Sequence, residues 1–261
     1  MVRALLDGDI VSYRCSVAVQ QTRDWGGVEG TITNAPVACR NAINIARRWA
    51  DWAGAKDITV CLSPKNGANF RRSIAAYKQE RAVGKPLAYW EVVEALEQEF
   101  DCARIQSCEA DDVMGILGSD PKTFKKHVIV SIDKDLRNVP CMLFNPIKRE
   151  KILIKEFDAD YNWMFQTLIG DRIDGYPGCP NYGPARATKL LDGAANLATM
   201  WKRVKWAYNN EGVSEVIALQ QAQFARILRH ADYNESEGTI KLWHPVKPKT
   251  FSLKDSKLIR T

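Results

Sequence analysis

The stretch HVIVSIDKD, residues 127–135, sets an apolar run directly before two aspartates. The run is short, rich in Val and Ile, and ends in polar residues, which is typical of a buried β-strand. Three earlier runs share this character: RALL (3–6), ITVCL (58–62) and CARIQ (102–106). The sequence therefore predicts four short buried strands in its first half.

Helical patterns separate these strands. The clearest are VACRNAINIARRWADWA (37–53) and YWEVVEALEQEF (89–100), and two further strands follow later, CMLFN (141–145) and KILIKEF (151–157). Alternating strands and helices indicate a mostly parallel sheet flanked by helices. We therefore predict an α/β domain over residues 1–157, followed by a mostly helical module over residues 158–261.

The composition indicates an intracellular protein, and its net charge fits a polyanionic partner but is also common in proteins that bind no polyanion. Lys and Arg number 37 against 31 Asp and Glu, which gives a net charge of +6 and a pI near 8.9. The seven cysteines contain no CxxC pair and are expected to be reduced core residues. The start MVRALLDGD carries no signal-peptide pattern, and no apolar run approaches the ~20 residues of a membrane helix. We expect a cytoplasmic protein.

Carboxylates follow the predicted strands with unusual regularity. Ligands of open α/β sheets gather at the carboxyl ends of the strands, so these positions are expected to converge on one edge. The nine residues concerned are Asp7, Asp9, Glu109, Asp111, Asp112, Asp133, Asp135, Asp171 and Asp174. Any one pair is also explained as a helix cap. So many like charges at one edge, however, would destabilise the fold unless a cation neutralised them.

The type of ligand indicates the type of metal. Carboxylates without His or Cys favour hard divalent ions, so Mg²⁺ or Mn²⁺ fits better than zinc. Two such ions ~3.5–4 Å apart activate a water and stabilise the leaving oxygen of a phosphodiester. The pattern therefore predicts a nuclease with two metal ions.

Five sequence motifs together resemble the 5′→3′ exonuclease and flap endonuclease family, and its bacteriophage members most of all. They are LLDGD, FRRSIAAYKQER, EADDVMG, SIDKD and GDRIDGYPGCPNYGPARATKLL, in the family's order and over residues 4–191. The resemblance implies a Rossmann-like domain of the PIN-like type. It also implies a first metal-binding group of Asp7, Glu109, Asp111 and Asp112, and a second of Asp133, Asp135, Asp171 and Asp174.

Two features depart from the family pattern. Asp9 is additional to the residues of many members, and its simplest interpretation is a cap or a hydrogen-bonding role. After ITVCL the family carries another aspartate, whereas this chain continues with Ser63, Pro64, Lys65 and Asn66. Either a water or Asn66 fills that place, or one metal is held more loosely.

Residues 64–86 form a basic segment, with Arg71 and Arg72 among its candidate DNA contacts. Within it, YKQER places Lys78 and Arg81 three residues apart on one side of a helical turn. The resemblance implies that this pair holds the scissile phosphate at the base of an arch that passes a single-stranded 5′ end. Tyr77 is a candidate for stacking on a base, although aromatics at helical spacing more often belong to the core.

Residues 170–191 combine Asp171 and Asp174 with a Gly/Pro-rich turn. The resemblance implies that this is a helix–turn–helix element that grips duplex DNA and whose turn carbonyls hold a monovalent cation such as K⁺. Gly178 and Gly183 would allow close approach of the backbone to phosphate, with the cations of Arg186 and Lys189 nearby. The alternative is a structural turn that only caps a helix.

The sequence is therefore interpreted as a metal-dependent, structure-specific 5′→3′ exonuclease acting on DNA in phage replication. Its expected substrates are duplexes with a 5′ end or 5′ flap, and RNA primers in RNA–DNA hybrids. A PIN-type ribonuclease and a non-catalytic DNA-binding module remain as alternatives.

Overall fold

The computed structural model describes residues 1–75 and 84–245, together with the backbone of two short strands near the C-terminus. The strands are β1 (Arg3–Asp7), β2 (Gln21–Asp24), β3 (Glu29–Ile32), β4 (Asp57–Cys61), β5 (Asp101–Ile105), β6 (His127–Val130), β7 (Cys141–Asn145), β8 (Glu150–Ile154), β9 (Tyr233–Asn234), β10 (Thr239–Lys241), β11 (Ser252–Leu253) and β12 (Leu258–Arg260). The helices are α1 (Gly8–Val17), α2 (Ala35–Trp52), α3 (Tyr89–Glu99), α4 (Ala110–Gly118), α5 (Glu156–Ile169), α6 (Pro184–Leu191), α7 (Leu197–Asn210) and α8 (Glu215–Ala225).

The central sheet has the strand order β12-β5-β4-β1-β6-β7-β8. Its middle strands β5, β4, β1, β6 and β7 are parallel, and the edge strands β12 and β8 are antiparallel to their neighbours. The four strands predicted from apolar runs are the neighbours β5, β4, β1 and β6. The prediction of a mostly parallel α/β sheet is confirmed.

Helices α1, α2 and α3 cover one face of this sheet. On α2, Ala38, Ala42, Ala46 and Trp49 recur at three- and four-residue spacing and are buried against the sheet. Three alanines on this stripe let the helix approach the strands closely. Asn34 caps α2 by accepting a hydrogen bond from the backbone N–H of Val37.

The opposite face packs against α4 and against residues from the C-terminal part of the chain. Val113 and Met114 of α4 share a buried cluster with Ile227, Leu228 and Ile240. Residues beyond α8 therefore complete the core of the α/β domain. The division into domains after residue 157 stays a prediction, and this packing does not follow that boundary.

Helices α5 to α8 form a third buried cluster around Trp163, Trp201 and Tyr208. The indole N–H of Trp163 donates to the carbonyl of Ala222 at 2.8 Å, which ties α5 to α8. This helical region carries the Gly/Pro-rich segment against the end of the sheet. Within the described residues, no helix is long and apolar enough to cross a membrane.

Candidate metal and nucleic-acid site

Eight carboxylates line a single cavity of about 730 Å³ beyond the carboxyl ends of the parallel strands. They come from β1 and α1, the start of α4, the loop after β6 and the loop after α5: Asp7, Asp9, Glu109, Asp111, Asp133, Asp135, Asp171 and Asp174. Since β4, β1 and β6 are neighbours in the sheet, the segments that follow them meet at this edge. The structure thus brings together seven of the eight predicted metal-binding residues, and Asp9 in addition.

Asp7 occupies the floor of the cavity, at the end of β1. Its side chain is 1% exposed, and both carboxylate oxygens are held. Oδ1 accepts from the backbone N–H of Ile10 at 3.0 Å and caps α1, while Oδ2 accepts from the Ser131 hydroxyl at 2.7 Å. Burial raises the pKa of Asp7 from 3.8 to about 7, and the charges of Asp9 and Asp133 add to the shift.

Asp133 and Asp135 are fixed by the turn that follows β6. The N–H of Asp133 donates to the Ser131 hydroxyl at 3.0 Å, and the N–H of Asp135 donates to Asp133 Oδ1 at 2.8 Å. Burial and the charge of Asp133 raise the pKa of Asp135 from 3.8 to about 6. The Ser131 hydroxyl therefore connects the backbone of Asp133 to the Asp7 carboxylate.

Asp171 and Asp174 stand on a closed loop after α5. Asp171 and Tyr176 exchange backbone hydrogen bonds of 2.8 and 3.0 Å, which close the loop. Within it, Asp171 Oδ1 accepts from the N–H groups of Ile173 and Asp174, at 2.8 and 3.3 Å. The loop thereby presents both aspartates to the cavity from the side of the helical region.

Asp112 is the one predicted metal ligand that the structure does not bring to the cavity, and its role as a ligand stays a prediction. The side chain is fully buried and forms a two-pronged ion pair with Arg71, at 2.7 Å (Oδ2 to Nη1) and 2.8 Å (Oδ1 to Nη2). Its oxygens also accept from the N–H groups of Leu228, at 3.0 Å, and Glu109, at 3.2 Å. These contacts saturate the carboxylate and link α4 to the segment after α8.

Arg71, predicted as a DNA contact, is instead buried inside the protein in this structure. The residue is 3% exposed, and Nε donates to the carbonyl of Phe224 at 3.1 Å. Its neighbour Arg72 is exposed, so that prediction remains open. Residues Tyr77, Lys78 and Arg81 of the same basic segment lie outside the described residues.

The donor set fits hard divalent cations. All eight side chains offer carboxylate oxygens, and at least two of them have raised pKa values because burial and neighbouring negative charge oppose ionisation. A bound cation would remove that cost and favour the ionised forms. Over residues 1–75 and 84–245, no three of the Asp, Glu, His or Cys side chains already lie close enough to hold one ion.

Basic and aromatic groups share the cavity with these carboxylates. Lys85 lines it, with Nζ 4.1 Å from the centre of the Tyr89 ring, and Tyr13 and Arg14 of α1 line it as well. Sequence analysis missed Tyr13 and Arg14. Tyr13 follows Asp9 and Arg14 follows Ile10 by four residues along α1, and this spacing is the signal that places each on the side of a cavity-lining residue.

Gly178, predicted as a phosphate contact, has a structural role in the described residues. It is buried with a φ of +74°, and a Cβ there would lie 2.4 Å from the backbone nitrogen of Gly170. Its N–H donates to the buried Gln221 side chain at 2.9 Å. Glycine is therefore required because two segments of one loop pass close together at Gly170 and Gly178. The N–H of Gly178 is already bonded inside the protein.

The start of α6 remains a candidate DNA contact. Gly183 precedes this helix, is exposed, and has open space around its Cα. Arg186 is paired with Glu211 at 3.0 Å and lies over the Tyr182 ring, whereas Lys189 is exposed and forms no ion pair within the described part of the chain. Lys189 is thus the cation of this helix whose charge is left for a partner.

No protein-family profile matches the chain. Two phage enzymes are similar to it: the exonuclease of Escherichia phage T7 and the exodeoxyribonuclease of Enterobacteria phage T3. Each is 33% identical over 229 residues, which cover 74% of this chain and 75% of the relative. The chain belongs to the family of these phage exonucleases. This finding confirms the prediction of an exonuclease of phage type.

Solved structures of T5 5′-exonuclease and of the bacteriophage T5 D15 flap endonuclease share the fold. A zinc-bound form of the first aligns with a TM-score of 0.65 at 15% identity and covers 86% of this chain and 88% of its own. A complex of the second with DNA and metal ions aligns with a TM-score of 0.63 at 12% identity, over 86% and 89% of the two chains. Because the identities are only 12% and 15%, these similarities show that the proteins share a fold and show nothing more.

Proposed function

We propose that the protein is a divalent-metal-dependent 5′→3′ exonuclease that hydrolyses phosphodiester bonds of duplex DNA. The observation that carries this proposal is the cavity with eight carboxylates at the edge of the parallel sheet. Membership of a phage exonuclease family supports the reaction. The proposed setting is phage DNA replication in the cytoplasm of the host.

The proposed metal ligands are the cavity carboxylates in two groups. The first proposed group is Asp7, Glu109 and Asp111, and the second is Asp133, Asp135, Asp171 and Asp174; all seven line the cavity. Mg²⁺ or Mn²⁺ is the proposed metal because oxygen-only ligation favours hard ions. When bound, such ions supply an activated water and neutralise charge on the phosphodiester.

The protein's own groups place the ligands and the substrate. The Ser131 hydroxyl donates to the Asp7 carboxylate and accepts from the backbone N–H of Asp133. It thereby fixes the end of β1 relative to the turn after β6. Arg14 and Lys85 put positive charge at the wall of an otherwise acidic cavity, where a phosphate would be attracted. Lys78 and Arg81 are proposed to hold the scissile phosphate, by the family resemblance alone.

The proposed duplex contact is the start of α6, with Gly183 and the exposed Lys189 as its candidate groups. A monovalent cation such as K⁺ at the preceding turn belongs to this proposal. Cleavage at 5′ flaps and removal of RNA primers are proposed as related activities of the same cavity. The flap activity draws support from the fold shared with the bacteriophage T5 flap endonuclease.

A substrate panel tests the proposal. Duplex DNA labelled at the 5′ or the 3′ end, a 5′ flap, an RNA–DNA hybrid and single-stranded RNA are incubated with Mg²⁺, with Mn²⁺ or with excess EDTA. We expect early release of 5′ label from duplex DNA with Mg²⁺ or Mn²⁺ and none in EDTA. Preferred cleavage of single-stranded RNA would favour a PIN-type ribonuclease, and binding without cleavage would favour a non-catalytic module.

A further inference from the structure

Asp9 occupies an unexpected place in the cavity. It lies in the first turn of α1, yet it does not cap that helix, because the cap is Asp7. Instead, Asp9 Oδ1 accepts two hydrogen bonds of 3.2 Å, from the backbone N–H of Ser63 and from the hydroxyl of Tyr89. Both donors come from other elements of the fold. The carboxylate is therefore held across the sheet edge, toward the end of β4.

Of the four neighbouring strands β5, β4, β1 and β6, only β4 is not followed by a carboxylate that lines the cavity. After Cys61 the chain continues LSPKNGAN, residues 62–69, without an acidic residue. Ser63 lines the cavity there, its hydroxyl accepts from the N–H of Ala110 at 3.0 Å, and its carbonyl accepts from Arg104 at 2.9 Å. Asn66, the residue suggested from sequence for this place, instead turns its side chain to the N–H of Ala68.

We propose that Asp9 is a metal-binding carboxylate of this cavity, supplied by α1 to the position at the end of β4 and aimed by Ser63 and Tyr89. This inference rests on the proposed function. Oδ1 is oriented by its two donors, and Oδ2 has no hydrogen-bond partner among the described residues. One oxygen thus fixes the direction of the group and the other is left for a ligand.

Tyr89 is the positioning residue of this arrangement. It is 2% exposed, and its hydroxyl donates to Asp9 Oδ1 from the interior of the protein. Its ring also lies under Lys85 at 4.1 Å. One buried side chain therefore places a carboxylate and a cation at the same wall of the cavity.

Metal binding without DNA is the direct test. Mn²⁺ affinity is measured by titration calorimetry and by electron paramagnetic resonance of free Mn²⁺ for wild type, Asp9→Asn and Asp51→Asn. Asp51 is exposed on α2 and does not line the cavity. Asp51→Asn therefore changes the net charge as Asp9→Asn does but leaves the cavity intact. We expect Asp9→Asn to weaken Mn²⁺ binding by about 10–100-fold with an unchanged melting temperature in EDTA. Equal affinities of the two variants would overturn the inference.

Tyr89→Phe separates positioning from packing. The variant keeps the ring and removes the donor to Asp9, so the Mn²⁺ concentration for half-maximal cleavage is expected to rise several-fold while the rate at saturating Mn²⁺ stays near wild type. An unchanged metal requirement would contradict the role of Tyr89. If wild type itself neither bound Mn²⁺ nor cleaved DNA, the proposed function would fail, and this outcome differs from a failure of Asp9 alone.

Discussion

Arg71 and Asp112 form a buried, two-pronged ion pair that joins the basic segment to α4, beside the acidic cavity but outside it. Asp111, the adjacent residue in sequence, lines the cavity. Successive residues of a helix point about 100° apart, so two neighbouring aspartates serve different purposes. Asp112 stabilises the fold, and Asp111 is a proposed metal ligand.

This division predicts a large loss of stability at Asp112 and almost none at Asp111. Asp112→Ala removes the two-pronged partner of the buried Arg71 and leaves it the longer contact with Glu109, at 3.7 Å. Breaking a buried ion pair typically costs about 3–5 kcal/mol of the free energy of unfolding. Asp111→Ala is the matched control, since it removes the same charge from the neighbouring position. We expect it to change that free energy by no more than ~0.5 kcal/mol. Urea unfolding in EDTA measures both, and equal stabilities would contradict the assignment.

The raised pKa of Asp7 predicts a pH-dependent stability of the metal-free protein. Its folded-state pKa of about 7 exceeds the unfolded value of 3.8, so the folded protein binds more protons between these values. The free energy of unfolding should therefore fall as pH rises from about 4 to 7, by up to ~1.4 kcal/mol per pH unit from this residue.

Asp7→Asn checks the source of this pH dependence. The amide does not titrate, so its urea midpoint in EDTA should fall less steeply over this range than that of wild type. Parallel curves for the two proteins would show that Asp7 is not the titrating group.

Lys189 predicts a sequence-independent contribution to duplex binding. Lys189→Ala should weaken binding of every duplex alike and reduce the slope of log K against log salt by about one, as for one phosphate contact. Lys122→Ala is a suitable control because Lys122 is exposed and precedes β6. It therefore lies near the amino ends of the parallel strands, whereas the cavity lies beyond their carboxyl ends. If both variants kept the wild-type slope, the α6 region would have only a structural role.

Lys78 and Arg81 predict a rate effect with little effect on affinity. A cation against the scissile phosphate stabilises charge that develops in the transition state, and its loss typically costs ~10²–10³ in rate. Each alanine variant should lower single-turnover cleavage by about that factor. Rates at saturating enzyme, compared with dissociation constants in Ca²⁺, separate catalysis from binding. Weaker binding with a normal cleavage rate would make both residues ordinary surface charges.

The sheet and most of its acidic edge were predictable because they depend on local pattern. Short apolar runs specify β1, β4, β5 and β6, and the rule that ligands gather beyond strand ends brings Asp7 and Asp133 together. The hairpin of β2 and β3 was not predicted, since its residues are mostly exposed and carry no apolar alternation.

The roles of Asp9, Asp112 and Gly178 depend on distant partners, and local pattern does not contain them. Asp112 meets an arginine 41 residues earlier in the chain, and Asp9 meets a tyrosine 80 residues later. Gly178 is needed because another part of the backbone passes against it. Only tertiary packing distinguishes these residues from the ligands and contacts they resemble in sequence.

The central claim, that the acidic cavity is a metal-dependent hydrolytic site, is tested most directly with Asp111→Asn. Single-turnover cleavage of a 5′-labelled duplex is followed over a range of Mg²⁺ concentrations, with DNA binding and melting temperature measured on the same preparation. We expect Asp111→Asn to abolish cleavage while it folds and binds duplex DNA as wild type does. Cleavage by this variant at the wild-type rate, or cleavage by wild type in excess EDTA, would contradict the claim.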